Sequence, residues 1–441
     1  MKEEKLYEDI KYKLAEFKKA ILVGSYDHSS KVMLCNDHLE ELVSLSHTYG
    51  LEVVEKVLCS MKKIDPATFF GRGKVEMLCE KLTEWNAEVV VCDDEISPNQ
   101  QRNLERILRC PVIDRTELIL EIFFQRAQTK AAKLQIELAK TQYQLPRLKR
   151  LWTHLSRQVA SGKGFLKGEG ERQIELDKRV IRDRIARLKK ELGEVENQRE
   201  VQRRSRVRSG ILTFAIVGYT NVGKSTLLRA LTEADVLIED KLFATLDTTT
   251  RKFLLPTHQE VLLIDTVGFI RKIPHMLVEA FKSTLEEVVY TDVLLHLIDV
   301  NHPLAEEHAT STYEVLEELQ IKDKPIITLL NKIDLVEDRS IINRFRLRYP
   351  RLVGISALTG EGFEELMKMM TDVRKDVWKI VNLRIPQKHY SLVSILMDEG
   401  RILKKEYEEN DLLLSVEIPK FLEYKVKEYI VESFTNCEKR G

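Results

Sequence analysis

The stretch from Gly218 to Thr226 reads "GYTNVGKST"; it completes the apolar run "FAIVG" and leads into "TLLRALTEA". A glycine-containing loop between a strand and a helix lets backbone N–H groups turn inward around a phosphate, and the helix start adds a favourable field. This spacing predicts a phosphate-binding loop formed by Gly218, Tyr219, Thr220, Asn221, Val222, Gly223, Lys224, Ser225 and Thr226. Lys224 is the group expected to neutralise β- and γ-phosphate oxygens, and Ser225 is expected to ligate Mg²⁺. Chance matches to this pattern occur, but one placed between strand and helix is a strong signal.

Asp265 ends the apolar run "EVLLID", where its carboxylate can hold Mg²⁺ through water, and Gly268 offers a backbone N–H to a γ-phosphate. Between loop and aspartate, "FATLDTTTR" (243–251) is polar, threonine-rich and placed where a mobile switch would lie; one threonine should complete the metal shell, and Thr245 and Thr249 both qualify. "NKID" (331–334) follows "PIITLL" and selects the base. Asp334 can accept from the N1–H and 2-amino group of guanine, whereas adenine offers neither donor. Asn331 braces the loop, Lys332 covers the ring, and "SAL" (Ser356, Ala357, Leu358) supplies the Ala357 N–H expected at guanine O6. A chance surface tetrapeptide would explain "NKID" alone, but four elements in this order predict GTP hydrolysis, with Lys224 and Gly268 as its catalytic contributors.

Gly268 is followed by Phe269. Ras-like GTPases usually carry a glutamine there that orients the attacking water. A phenylalanine cannot, so low basal activity is expected, with the rate raised by a partner.

These residues need elements to position them. The first 115 residues alternate strand-like and helix-like runs: "AILVGS", "HLEELVSLSHTYG", "LEVVEKVLC", a helix from about Lys74 to Trp85, "AEVVVCDD" and "PVID". That alternation predicts an α/β domain with a mostly parallel sheet over residues 1–115. "DEISPNQQRNLERIL" reads as a helix started by Ser97 with Pro98 in its first turn.

A heptad seam follows through Leu120, Phe124, Ala127, Ala131, Leu134, Leu138, Thr141, Leu145, Leu148 and Trp152, with Pro146 expected to kink it. A second seam runs through Ile174, Lys178, Ile181, Ile185, Leu188, Leu192 and Val195, and glycine-rich "ASGKGFLKGEGER" separates the two. An antiparallel helical hairpin over 116–206 is the economical reading. A P-loop α/β domain is expected over 207–377 and a small α+β domain, a helix, hairpin strands and a helix, over 378–441.

The chain balances 70 basic against 70 acidic residues, but the charge is segregated. From Arg147 to Arg208 there are about 19 Lys and Arg against about 9 Asp and Glu. The bland reading of the hairpin is a structural spacer with a solvated surface. The functional one is a probe that docks on RNA phosphates by counterion release, without base-specific reading because aromatics beyond Phe165 are sparse. The six cysteines show no metal-binding spacing and read as buried thiols. No apolar run approaches about 18 residues and no signal-peptide core opens the chain, so a cytoplasmic protein is expected.

Beyond the general GTPase motifs, "FFGRGK" (69–74), "DDEISPNQQRNLE" (93–105), "VIDRTELILEIFFQRAQTKAAKLQIELAKTQYQLPRL" (112–148) and "GEGERQIELDKR" (168–179) resemble the HflX family of ribosome-associated GTPases. The resemblance covers nearly the whole chain. It implies an N-terminal α/β domain, a helical hairpin, a Ras-like GTPase domain and a C-terminal α+β domain. It also implies binding to the large ribosomal subunit and its RNA, with splitting or rescue of stalled ribosomes, often under stress. Two positions depart from the family pattern: Thr248 stands where proline usually follows the switch aspartate, and "GEGE" with Glu169 replaces the common GPGE. Asn221 resembles the asparagine by which potassium-activated GTPases hold K⁺ beside the phosphates; its plainer role is bracing the loop.

"FFGRGK" reads as a tight turn needing glycine, with a second nucleotide cradle as the alternative, since ATP binding has been proposed for this domain in some relatives. Two rival functions remain: a GTP-switched adaptor for a non-ribosomal protein or RNA, and an ATP-driven RNA remodeller using the N-terminal domain. A monomer is expected.

Overall fold

The computed structural model describes residues 17–147, 176, 178–195, 211–232, 242–243, 248–272, 287–321, 324–408, 411–419 and 422–431. The glycine-rich stretch 160–172 and Thr245 lie outside the described residues. The chain divides into two compact units, one formed by 1–192 with short pieces of later sequence and the other by most of 193–441.

In the first unit, β1 (Lys19–Tyr26), β2 (Glu52–Ser60), β3 (Val89–Cys92) and β4 (Val112–Asp114) form a parallel sheet in the order β2-β1-β3-β4. Ala20, Ile21 and Leu22 are 0% exposed in succession, because a strand covered on both faces has no solvent side to alternate with. Among the described residues, four helices cover it: α1 (Val32–Tyr49), α2 (Arg72–Trp85), α3 (Pro98–Leu108) and α4 (Arg115–Arg126). α1 packs on α4, and α2 packs on α3. Ser97 starts α3 with a full capping box: Gln100 N donates to Ser97 Oγ at 3.3 Å and Ser97 N to Gln100 Oε1 at 3.0 Å.

The seam from Leu120 to Leu145 does not follow one helix. α4 stops at Arg126, Ala127 turns to extended backbone, and Thr129 caps a new helix, α5 (Lys130–Gln144), by accepting from Ala132 N at 3.2 Å. α5 ends in a 3-10 turn over Leu145–Arg147, where Pro146 sits. Helix α6 (178–195) buries Ile181 and Leu188, and Arg184 Nη2 reaches Glu137 Oε1 on α5 at 2.5 Å.

The junction of α5 with the sheet is polar and buried. Asp114 ends β4 at 0% exposure, accepts from Tyr143 Oη at 2.8 Å and Glu117 N at 2.9 Å, and faces Arg147 Nη2 at 3.5 Å. Burial pushes its carboxyl up to about 6, against the pull of Arg147.

"FFGRGK" does contain a tight turn, but glycine is not what it requires. Phe69 takes the left-handed backbone (φ 64°), while Gly71 sits at φ −64° as the N-cap of α2, and a Cβ at Gly71 or Gly73 would meet nothing within 4 Å. Asp65 holds the turn by accepting from Ala67 N and Thr68 N at 2.7 and 3.0 Å.

In the second unit, β5 (Leu212–Gly218), β6 (Thr249–Leu254), β7 (Glu260–Asp265), β8 (Val293–Asp299), β9 (Ile326–Asn331) and β10 (Leu352–Gly354) form a sheet in the order β10-β9-β8-β5-β7-β6. It is parallel except for β6, which runs antiparallel to β7. β6 takes in residues 249–251, the end of the stretch that the sequence suggested as a switch. Among the described residues of this part are the helices α7 (Lys224–Thr232), α8 (Ala305–Glu318), α9 (Ser340–Arg346) and α10 (Phe363–Val377).

A separate antiparallel sheet follows, β11 (Trp378–Pro386), β12 (Arg401–Glu408) and β13 (Asp411–Pro419) in the order β11-β13-β12, with α11 (Tyr390–Glu399) against it. Of the helix expected after the hairpin strands, the described residues show one α turn over Glu423–Val426 and a 3-10 turn over Lys427–Tyr429. Beyond it Ile430 bridges to Leu383 and Val431 N donates to Asn382 O at 2.8 Å, so the chain returns to the sheet edge.

Replacing Ser97 by Ala removes one member of the capping box. The expected loss is about 1 kcal/mol in the local stability of α3, read as faster amide hydrogen exchange over residues 98–108.

Candidate nucleotide site

The loop from Gly218 to Gly223 closes the C-terminal end of β5 and delivers α7 at Lys224. Its glycines are required by close approach. Gly218 lies at φ 152°, where a Cβ would meet Leu297 O at 2.4 Å, and Gly223 at φ 97°, where one would meet Asn331 Nδ2 at 2.4 Å. Asn221 between them is also left-handed (φ 60°) and exposed, while Val222 is buried.

Lys224 is 7% exposed, and its Nζ donates to Tyr219 O at 2.7 Å and Gly218 O at 3.2 Å. Burial pushes its ammonium down to about 8, with the Asp265 carboxylate working the other way. The next residue, Ser225, donates from Oγ to Asp265 Oδ2 at 2.7 Å, and Thr226 continues the first turn half-buried. Asp265 itself is fully buried at the end of β7. A hydroxyl and a carboxylate this close form an all-oxygen donor pair, which suits a hard divalent cation. Thr249 opens β6 directly opposite Asp265 in the strand register.

After Asp265 the chain continues alongside the loop. Thr266 Oγ1 donates to Ile216 O at 2.7 Å; Phe269 N donates to Gly218 O at 3.0 Å and Phe269 O accepts from Thr220 N at 2.8 Å. Tyr219 and Phe269 thus form a parallel bridge that carries the β5/β7 pairing into the loop. At Gly268, a Cβ would lie 2.8 Å from Thr220 Cγ2 and 2.9 Å from Lys224 Nζ, so only glycine fits against the loop. Phe269 is 2% exposed.

On the base side, Asn331 joins two loops: its Nδ2 donates to Val222 O at 2.7 Å and its Oδ1 accepts from Ala357 N at 2.9 Å. The Ala357 amide is therefore turned toward Asn331. Lys332, left-handed at φ 65°, sets its Nζ 2.7 Å from Asp299 Oδ2. Asp334 is exposed in the short 3-10 turn Ile333–Leu335; Ser356 is buried with its Oγ accepting from Thr359 N at 3.2 Å; Leu358 is 79% exposed.

The structure also shows partners that the motifs did not. The Tyr219 ring stacks on His308 of α8 with centroids 3.7 Å apart and planes 4° apart, and its Oη accepts from Arg271 N at 2.8 Å. His308 belongs to no short motif; the signal available was only an aromatic residue in an otherwise small-residue loop.

The sequence is similar to known proteins along almost the whole chain. Residues 36–124 match the family model described as GTP-binding GTPase N-terminal, 126–206 that of GTP-binding GTPase Middle Region, and 213–332 that of 50S ribosome-binding GTPase. The chain is 47% identical to the GTPase HflX of Chlamydia pneumoniae over 425 residues, 96% of this chain and 90% of that one. It is 41% identical to the GTPase HflX of Escherichia coli K12 over 400 residues, 90% of this chain and 92% of that one. Among solved structures, the SsGBP and GDP complex is similar at 27% identity with a TM-score of 0.47, covering 81% of this chain and 99% of that one. The chain belongs to the HflX family, and it is a GTPase.

Proposed function

We propose that this GTPase binds the large ribosomal subunit and splits or rescues stalled ribosomes, with hydrolysis stimulated by that partner. The observation that carries this reading is Phe269: the residue after Gly268 is apolar, buried, and tied to the phosphate loop through its backbone. It cannot orient water, so rapid hydrolysis needs help that a bound partner can give. The basic stretch 147–208 favours an RNA-containing partner, because clustered Lys and Arg release counterions from phosphates whatever the sequence. The family-model description of residues 213–332 supports the large subunit in particular. Such a protein acts in the cytoplasm, as a monomer.

Within the site, the loop amides and Lys224 hold the phosphates, Gly268 N–H reaches the γ-phosphate, and Asp334 with Asn331, Lys332 and Ser356 to Leu358 forms the guanine side. Ser225 and Asp265 would hold Mg²⁺, with Thr249 or Thr245 as a further ligand. Bound there, the ion would supply charge that neutralises the phosphates. Asn221, exposed at the rim of the loop, is the candidate K⁺ ligand.

Adding large ribosomal subunits is expected to raise the GTP hydrolysis rate at least about tenfold; equal rates with and without them would sink the proposal. In ribosome profiles with a non-hydrolysable GTP analogue, intact ribosomes should fall into subunits. Nucleotide-dependent binding to RNA or protein without large-subunit binding would favour the adaptor. Equal stimulation of ATP and GTP hydrolysis by RNA, with ATP turnover by residues 1–206, would favour the remodeller. Equal GTPase rates in K⁺ and Na⁺ would remove K⁺ from the site.

Lys224 gives a pH dependence with a fixed sign. Its ammonium sits at about 8 when buried among loop carbonyls, and a phosphate against it raises that value, so nucleotide binding takes up a proton above pH 8. GDP affinity should therefore fall by about fivefold between pH 7 and 8.7, below the titration of guanine itself; fluorescence titration with a labelled GDP reads it.

A further inference from the structure

We propose that the Thr220 side-chain hydroxyl orients the attacking water in this GTPase, the task that Phe269 cannot perform. The inference deepens the proposed reading of the site and rests on its nucleotide assignment.

Position is the first argument. Thr220 N donates to Phe269 O at 2.8 Å, which fixes the residue beside the segment that follows Asp265. A Cβ built on Gly268 lies 2.8 Å from Thr220 Cγ2, 2.9 Å from Thr220 Cα and 2.9 Å from Lys224 Nζ. The Thr220 Cγ2 methyl and the ammonium assigned to the γ-phosphate therefore both border Gly268, and turning the Thr220 side chain by about 120° to a neighbouring staggered rotamer exchanges its methyl and hydroxyl positions. A water attacking phosphorus in line must stand on the Gly268 side of that phosphate.

Unused bonding capacity is the second. Thr220 is 6% exposed, and its Oγ1 has no hydrogen-bond partner among the described residues. Nearby hydroxyls are committed: Tyr219 Oη accepts from Arg271 N at 2.8 Å, Ser225 Oγ donates to Asp265 Oδ2 at 2.7 Å, and Thr266 Oγ1 donates to Ile216 O at 2.7 Å. A buried hydroxyl left without a partner is unfavourable, and valine would fill the same volume without that penalty. The hydroxyl is thus explained by a partner that arrives with the substrate.

Thr220 does not act as a base. Its oxygen accepts a hydrogen bond from the water and its proton points to a γ-phosphate oxygen, aligning the two reactants. The water oxygen bonds to phosphorus, the bridge to the β-phosphate breaks with its electron pair leaving on GDP, and the water protons end on phosphate oxygens or solvent. The threonine emerges unchanged.

The test compares Thr220→Val with Thr220→Ser in the full chain, with and without large ribosomal subunits, using labelled GDP as the check on folding. Thr220→Val should keep GDP affinity within about twofold and KM for GTP nearly unchanged, while kcat falls at least about thirtyfold. Thr220→Ser, which keeps the hydroxyl and loses the methyl group against Gly268, should stay within about threefold of the natural chain. A Val variant as fast as the natural chain would overturn the proposal, and so would equal losses in Val and Ser, which would assign the effect to packing. A natural chain unresponsive to large subunits would instead overturn the ribosome reading, leaving the Val and Ser contrast to decide on Thr220.

Discussion

Two backbone hydrogen bonds between Phe269 and the phosphate loop organise the site. Phe269 N to Gly218 O and Thr220 N to Phe269 O extend the β5/β7 pairing beyond the sheet, so the segment after Asp265 lies directly against the loop. Other features answer to that closeness. Gly268 must lack a side chain because Thr220 and Lys224 fill the space a Cβ would take. Tyr219, on the other side of the bridge, is held by the His308 ring and accepts from Arg271 N, so the chain is gripped before and after Phe269. Burying the Phe269 ring adds roughly 2 kcal/mol to this closed arrangement.

The same logic of close approach links the phosphate and base ends. Asn331 can bridge Val222 O and Ala357 N because Gly223 leaves room for its amide. Two loops that arrive from opposite sides of β8 are thus tied by one side chain at 2% exposure. Rearranging either loop breaks a buried hydrogen bond, so the positions of the two loops are coupled.

Much of this was legible in the sequence, and the illegible parts share a cause. The parallel strands of both sheets announced themselves through short apolar runs, and Ser97 with Gln100 marked the start of α3 by local chemistry alone. The phosphate loop was readable because its glycines answer a backbone requirement that few other contexts impose. By contrast β6 has no buried face, its residues being half-buried or exposed throughout, so no period of two was there to find. β11 follows α10 with no glycine or proline between them, and its alternation of Val381, Leu383 and Ile385 merged with the helical pattern. The break at Ala127 was hidden because α4 and α5 each continue the same heptad spacing, and only the Thr129 cap distinguishes two helices from one. Periodicity reports burial; it does not report where a chain turns.

The apolar residue at 269 and the hydroxyl at 220 are two sides of one arrangement. A polar side chain at 269 would have to be free to swing toward the phosphate, and a freely swinging switch cannot also be pinned by ring burial and two backbone hydrogen bonds. Pinning it gives up local control of the water. That control can then reside on the loop itself, at Thr220, whose backbone the bond to Phe269 O holds in place, or in a partner that enters once the nucleotide is bound. Both solutions make hydrolysis depend on geometry set from outside the residue that usually governs it, which fits the proposed stimulation by a bound partner.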